Sequence, residues 1–134
     1  MKVNFISVHN GLSIDLPGCN SEQPFHLWQF HNNWNQRFII KECHDDEGYY
    51  NIMIDNIDNH HLLVSLSSSN EGCELRLSAN LNNDSQKFQF IEKDKGYVIL
   101  CKLNHLVFDV ENGGLDNGSR IIGWKANECP NQYW

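Results

Sequence analysis

A triplet of Gln, any residue and an aromatic occurs three times in this chain of 134 residues. The copies are Gln36-Arg37-Phe38, Gln86-Lys87-Phe88 and Gln132-Tyr133-Trp134. Successive glutamines are 50 and 46 residues apart. Repetition at this spacing is typical of a fold built from similar units, none of which buries its apolar face alone. The triplets therefore define a frame in which equivalent positions of three copies can be compared.

Short apolar runs accompany each triplet at matching offsets. Alternating runs at residues 12–16, 62–66 and 106–110 indicate half-buried strands. Further apolar runs precede them at 3–8, 49–54 and 97–101, and follow them at 25–30, 73–78 and 119–124. Turns rich in Asn, Asp, Gly and Ser join these runs, and no segment shows a helical period.

Four short strands per copy, about twelve in all, predict an all-β fold. Three such sets arranged about an axis can close a barrel and remove exposed strand edges, which is the architecture of a β-trefoil. We expect a single domain over residues 1–134, with four-stranded repeats at about 1–45, 46–94 and 95–134. The first copy continues through 39–41 whereas the third stops at Trp134, so its end is expected to close against the first strand of the chain.

The triplet itself is predicted to be structural. An aromatic two residues after a glutamine lies on the same face of a strand, so Phe38, Phe88 and Trp134 are expected in the barrel core. Each Gln amide can then satisfy backbone groups of the preceding loop.

Two copies share a longer pattern. The first contains Ser13-Ile14-Asp15-Leu16, Phe25-His26-Leu27-Trp28 and Asn35-Gln36-Arg37-Phe38. The third contains Val107-Phe108-Asp109-Val110, Ile121-Ile122-Gly123-Trp124 and Asn131-Gln132-Tyr133-Trp134. With this pattern the whole chain resembles the ricin B-type lectins, a family of three-lobed β-trefoils known for a Gln-x-Trp repeat. The resemblance implies a carbohydrate-binding lectin domain whose lobes offer an Asp, a stacking aromatic and an Asn to a sugar.

The chemistry of these residue types fits that expectation. A carboxylate accepts hydrogen bonds from neighbouring hydroxyls, an aromatic face packs on sugar C–H groups, and an amide donates to the same hydroxyls. By resemblance, the sugar-binding residues are Asp15, His26, Trp28, Asn35 and Gln36 in the first copy, and Asp109, Ile122, Trp124, Asn127, Asn131 and Gln132 in the third. In the second copy Ser65, Ser78 and Ser85 replace the Asp, Trp and Asn, so this lobe is predicted to be structural only.

Two interpretations of His26 are open. It precedes Trp28 by two residues, where the family often carries a polar side chain that contacts the sugar. A histidine lining the site would make affinity vary between pH 5 and 8. A histidine that faces solvent fits the sequence as well.

Charge and cysteine content limit the other functions. Ten Lys and Arg against 17 Asp and Glu give a formal net charge of −7 with no basic run, which argues against nucleic acid as a partner. No apolar stretch approaches the roughly 20 residues of a membrane span, and the first residues lack a signal-peptide core. We therefore expect no membrane insertion, and a location that is cytoplasmic or reached by non-classical secretion. Five widely spaced cysteines predict neither a disulfide framework nor a metal site, and no cofactor is expected.

The sequence favours a lectin with no catalytic residues. By resemblance, its ligands are glycoprotein or glycolipid glycans that end in galactose or N-acetylgalactosamine. Two sites would raise avidity for clustered glycans, and a homodimer with four sites would agglutinate cells as a hemagglutinin does. The alternative is a protein-binding β-trefoil, such as a protease inhibitor or a toxin-accessory subunit. An enzyme is disfavoured because Asp15 and Asp109 belong to separate lobes and cannot form an acid–base pair.

Overall fold

The computed structural model describes residues 1–134 and contains eleven β-strands and six single-turn 3-10 helices. The strands are β1 Lys2–Val3, β2 Ser13–Asp15, β3 His26–Trp28, β4 Phe38–Glu42, β5 Tyr50–Ile54, β6 Leu62–Leu66, β7 Leu75–Ala79, β8 Phe88–Lys93, β9 Gly96–Cys101, β10 Val107–Val110 and β11 Ile121–Trp124. The 3-10 helices are Pro17–Cys19, Trp34–Gln36, Ile57–Asn59, Asp84–Gln86, Glu111–Gly113 and Pro130–Gln132. None of these helices has the length and apolar character needed to cross a bilayer.

All strand pairs are antiparallel. Seven strands form one sheet in the order β1-β4-β5-β8-β9-β10-β11, while β2–β3 and β6–β7 form separate hairpins. The hairpins β2–β3, β6–β7 and β10–β11 therefore occur once in each copy, alongside the longer strands of the barrel. The predicted all-β fold is confirmed.

The three hairpins share one register. The cross-strand partners are Ser13–Trp28, Leu63–Ser78 and Val107–Trp124, followed two residues along by Asp15–His26, Ser65–Arg76 and Asp109–Ile122. Cross-strand partners, and residues two apart on one strand, point to the same face of a sheet. In the first and third copies the Asp and the Trp thus share a face with the residue opposite the Asp, which is His26 or Ile122. In the second copy Ser65 and Ser78 share a face with Arg76.

The core lies inside the barrel and under the hairpins. It contains 20 buried apolar residues, among them Phe38 and Phe88 of the first two triplets, as predicted. Trp134 of the third triplet is only half-buried, packs against this core and donates its indole N–H to the Phe108 carbonyl at 3.3 Å.

Eleven strands form where about twelve were expected. In place of a twelfth strand, Tyr133 and Trp134 follow the last 3-10 turn and make strand-like hydrogen bonds. Trp134 exchanges two backbone hydrogen bonds with Tyr97, at 2.8 and 2.9 Å, and the Tyr133 carbonyl accepts from Val8 N–H at 3.0 Å. The end of the third copy thus reaches the predicted first run, residues 3–8, through one backbone hydrogen bond at Val8, while β1 itself pairs with β4.

Each triplet glutamine is buried at the end of a 3-10 turn and makes the same two loop contacts. Its Nε2 donates to the carbonyl seven residues earlier, at 2.7–2.9 Å. Its Oε1 accepts from the backbone N–H five residues earlier, at 2.8–3.1 Å. The structural role predicted for the glutamine amide is therefore seen in all three copies.

We predict that Gln86→Met lowers the free energy of unfolding by ~1–3 kcal/mol. The Ala79 carbonyl and the Leu81 N–H, which are partly shielded from water, lose their side-chain partner. Urea denaturation measures the change. Gln23→Met, at an exposed side chain that makes no such contacts, is the matched control. Equal stability of the two variants would contradict the structural role of the triplet.

Candidate functional site

The third copy brings its predicted residues together around one carboxylate. Asp109 lies on β10 with 4% of its surface exposed, and Trp124 ends β11. Gln132 Nε2 donates to Asp109 Oδ2 at 2.8 Å, and Asn131 Nδ2 lies 3.3 Å from Oδ1 and 3.0 Å from the Val110 carbonyl oxygen. Two amides of the last 3-10 turn thus fix the carboxylate. We call the group of Asp109, Trp124 and Asn131 the third site.

A cavity of about 550 Å³ opens at the third site. Besides these three residues, its lining includes Ile122 and Asn127, both predicted from the sequence. Ile122 is buried and stands directly opposite Asp109 in the β10–β11 ladder, which gives the cavity an apolar floor. Asn127 is exposed on the rim, where its Oδ1 accepts from Cys129 N–H at 2.9 Å. The arrangement combines a carboxylate, an amide and a half-exposed indole around one opening.

Sequence reasoning missed part of the cavity lining. The missed residues are His9, Gly72, Glu111 and Pro130. His9 comes from the first copy and Gly72 from the second, and comparing equivalent positions cannot show which neighbouring copy completes a site. His9 Nε2 lies 2.9 Å from the Gly113 carbonyl oxygen and so braces the rim. Asn112 and Gly113 also line the cavity, and their Asn-Gly-Gly sequence is itself a signal of a tight turn at the rim; both residues are left-handed, with φ of 54° and 63°.

Burial dominates the electrostatics of Asp109. Loss of solvent raises the pKa of its carboxyl group above the ordinary value of 3.8, the hydrogen bond from Gln132 opposes this shift, and the nearby Glu111 charge adds to it. A carboxylate that is buried beside a cavity, despite the free-energy cost of losing solvent, is typical of a functional group.

The first copy has the same residue types, but its carboxylate makes different hydrogen bonds. We call Asp15, Trp28 and Asn35 the first site. Asp15 is 3% exposed, and its Oδ2 accepts from Gln36 Nε2 at 2.8 Å and from Asn35 Nδ2 at 3.2 Å. Its Oδ1 accepts from His26 Nε2 at 2.8 Å. None of the three principal cavities of the molecule is lined by these residues.

His26 therefore lies against the site and does not face solvent. Its side chain is 19% exposed, and its ring stacks on Trp28 with the two centroids 5.4 Å apart and the planes at 18°. The interpretation that His26 lines the site is the one the geometry supports. The associated dependence of affinity on pH stays a prediction.

In the second copy a compact hydroxyl pair stands at the positions of the predicted binding groups. Ser65 Oγ and Ser78 Oγ lie 2.7 Å apart, and Gln86 Nε2 donates to Ser78 Oγ at 2.9 Å. Arg76, at the position of His26 and Ile122, donates to the Glu22 carbonyl at 3.0 Å and pairs with Glu74 at 3.3 Å. This hairpin offers neither a carboxylate nor an aromatic face at the equivalent positions.

The two predicted glutamines act from beneath the sites. Gln36 and Gln132 are 0% and 1% exposed, so neither presents a polar atom to solvent. Each holds a carboxylate, Asp15 or Asp109, while spanning its own loop. Their role in the geometry is to position the acid.

All five cysteines are free, and two are exposed. Cys129 lines the third-site cavity. Cys19 ends the 3-10 turn Pro17–Cys19 that follows Asp15, as Gly113 ends the turn that follows Asp109. No group of three or more His, Cys, Asp and Glu side chains is arranged to hold a metal ion.

The sequence matches no model of a known protein family and no curated protein. Solved structures nevertheless share the fold. The designed three-fold symmetric protein ThreeFoil superimposes with a TM-score of 0.85 at 17% identity, over 98% of this chain and 94% of that one. The Macrolepiota procera ricin B-like lectin in complex with lactose gives 0.80 at 14% identity, over 98% of this chain and 91% of that one. These likenesses show a β-trefoil fold.

The same fold also occurs as part of longer chains. An exo-β-1,3-galactanase from Clostridium thermocellum, 1,3Gal43A, superimposes with a TM-score of 0.90 at 17% identity. The match covers 99% of this chain but 29% of the galactanase chain. This chain therefore spans less than a third of that protein's length.

We predict that the difference in stability between Asp109→Asn and the wild type depends on pH. A carboxyl group whose pKa is raised by folding leaves stability intact below its unfolded pKa of about 3.8 and reduces it as pH rises through the folded value. The melting temperature of the variant relative to the wild type should therefore rise from about pH 4 upward and then level off, on top of a constant cost because the Asn amide can accept from only one of Asn131 and Gln132. Asp116→Asn, at an exposed residue of the neighbouring loop, is the control. A pH-independent difference would show that burial of the charge is not the cause.

Proposed function

We propose that this chain is a carbohydrate-binding lectin that holds a sugar in the third site without chemical change. Its β-trefoil fold and the resemblance of its repeats to those of ricin B-type lectins support the proposal. The observation that carries the proposal is the shared cavity of Asp109 and Trp124, which joins a fixed carboxylate to a half-exposed indole. Its volume falls within the ~300–1,000 Å³ of small-ligand sites. Asp109 belongs to one hairpin and Asp15 to another, so the two carboxylates do not act as a catalytic pair.

Each group in the cavity has a separate task in this proposal. The Asp109 carboxylate accepts hydrogen bonds from two neighbouring hydroxyls, since Gln132 and Asn131 already fix its position from below. The Asn131 amide donates to one of the same hydroxyls. The Trp124 ring packs against C–H groups, and Ile122 supplies an apolar floor.

We further propose that the sugar is galactose or N-acetylgalactosamine at the end of a glycoprotein or glycolipid glycan. The axial 4-hydroxyl of galactose leaves a continuous C–H patch on the opposite face of the ring, which suits an indole. Its 3- and 4-hydroxyls are neighbours that one carboxylate can accept together. The lactose held by the Macrolepiota procera lectin and the galactan named for the galactanase support this choice.

The proposal extends to the first site, which has the same Asp, Trp and Asn. Two sites on one body raise avidity for clustered glycans, and a homodimer with four would agglutinate cells. A single shallow site with a Kd of roughly 1 mM contributes only about 4 kcal/mol, so avidity is the expected source of useful affinity.

We predict that retention on immobilised galactose falls sharply in Asp109→Ala and is lost in the Asp15→Ala/Asp109→Ala double variant, because the carboxylates accept the sugar hydroxyls. Affinity chromatography of variants with native-like melting curves measures this. Ser65→Ala, at the equivalent position of the second copy, should be retained like the wild type. Full retention of the folded double variant would refute the assignment of both sites.

We also predict that lactose protects Cys129 from alkylation, because this exposed thiol lines the third-site cavity. At ten times the Kd, occupancy should slow iodoacetamide labelling about tenfold, which peptide mass spectrometry can follow. Cys19, an exposed thiol in the turn that follows Asp15, is labelled in the same sample and serves as an internal comparison. Glucose, the 4-epimer of galactose, is the control sugar. Equal labelling of Cys129 with and without lactose would argue against sugar in this cavity.

A further inference from the structure

The first site differs from the third in what already touches its carboxylate and its indole. His26 Nε2 donates to Asp15 Oδ1 at 2.8 Å, and the same imidazole stacks on Trp28 with centroids 5.4 Å apart. These are the two kinds of contact that a hexose makes in the proposed function, namely a hydrogen-bond donor to the acid and a face against the indole. One protein side chain therefore already makes both kinds of contact.

The Asp15 carboxylate is also surrounded by more donors than Asp109. Besides His26, Gln36 and Asn35, His31 Nε2 lies 3.6 Å from Oδ2. His31 Nδ1 accepts from Asn33 N–H at 3.0 Å, which leaves the proton of the neutral ring on Nε2, toward the acid.

The Asp109 carboxylate accepts only from two amides, at 2.8 and 3.3 Å, and opens into a cavity. The third site therefore keeps acceptor capacity for a ligand. In the first site that capacity is used by the protein.

The difference traces to one cross-strand position. Opposite Asp109 stands Ile122, which has no polar atom to offer and forms a floor. Opposite Asp15 stands His26, and opposite Ser65 stands Arg76, which is engaged with Glu74. The acid and the stacking aromatic are the same in the first and third copies, whereas this position is not.

We propose that His26 is an internal ligand that closes the first site, and that the residue opposite the acid determines whether a copy is open to sugar. The inference rests on the proposed function and concerns the regulation of its second site. A sugar enters the first site only after the imidazole leaves both Asp15 and Trp28, so its apparent affinity is reduced by the small fraction of open molecules. Loss of one hydrogen bond to a charged group corresponds to about tenfold or more in affinity. At low sugar concentration the chain is monovalent.

The test exchanges the residues opposite the two acids. The variants are His26→Ile, Ile122→His and, as a matched control in the copy without an acid, Arg76→Ile. The chain has four tryptophans, so the indole N–H signals of Trp28 and Trp124 can be followed separately in a lactose titration by two-dimensional NMR, with Trp→Phe variants for assignment.

In the wild type, the Trp28 signal should need about tenfold more lactose than the Trp124 signal. His26→Ile should bring the Trp28 midpoint close to that of Trp124. Ile122→His should raise the Trp124 midpoint about tenfold, and Arg76→Ile should change neither. Equal midpoints in the wild type, or a Trp28 midpoint that His26→Ile leaves unchanged or raises, would overturn the inference while leaving lactose binding intact.

A second measurement needs no sugar. The imidazole Nε2–H of His26 should give an observable NMR signal in the free protein, because its hydrogen bond to Asp15 slows exchange with water, and Asp15→Ala should remove that signal. No such signal would overturn the inference even if lactose binds. A signal together with no lactose response at either indole would refute the proposed function and the inference with it.

Discussion

Everything in this molecule depends on three buried glutamine amides. Gln36, Gln86 and Gln132 each tie a loop carbonyl and a loop N–H to a 3-10 turn, and each glutamine is itself buried. An unpaired buried amide or carbonyl costs ~1–3 kcal/mol, so the loop, the 3-10 turn and the amide form one cooperative unit. In two copies the same Nε2 also donates to the carboxylate of the proposed site. The amide that holds the loop in place therefore also positions the acid.

The triplet predicted the fold because strand periodicity is strict. Once Gln36 and its counterparts fix the frame, side chains two residues apart must share a face, and the hairpin register follows as observed. The site was only partly predictable. His9 and Gly72 reach the third site from other copies, and no comparison within a copy reveals such neighbours. The contact of His26 with Asp15 depends on rotamers and on the pairing of two strands, which is why the sequence left two interpretations open.

The carboxylates Asp109 and Asp15 occupy the same position of one motif but make different numbers of hydrogen bonds. Asp109 faces a cavity and keeps lone pairs that a ligand could use. Burial raises the pKa of its carboxyl group, so keeping this group ionised lowers the stability of the fold. Asp15 accepts three hydrogen bonds from protein donors, including one from His26, whereas Asp109 accepts two. A polar group whose hydrogen bonds are made within the protein is stable but cannot bind a ligand. A polar group that can bind a ligand lacks some of its hydrogen-bond partners until the ligand arrives.

The hydroxyl pair of the second copy shows how sites of this kind can be gained and lost. Ser78 Oγ accepts from Gln86 Nε2, as a carboxylate does in the other copies, and Ser65 in turn hydrogen-bonds to Ser78. A copy can therefore lack the acid without leaving the glutamine unpaired, provided that serines stand in place of both the acid and the tryptophan on the paired strands. The number of proposed sites in a threefold protein can then differ while the barrel stays the same, so valence and fold are physically separable.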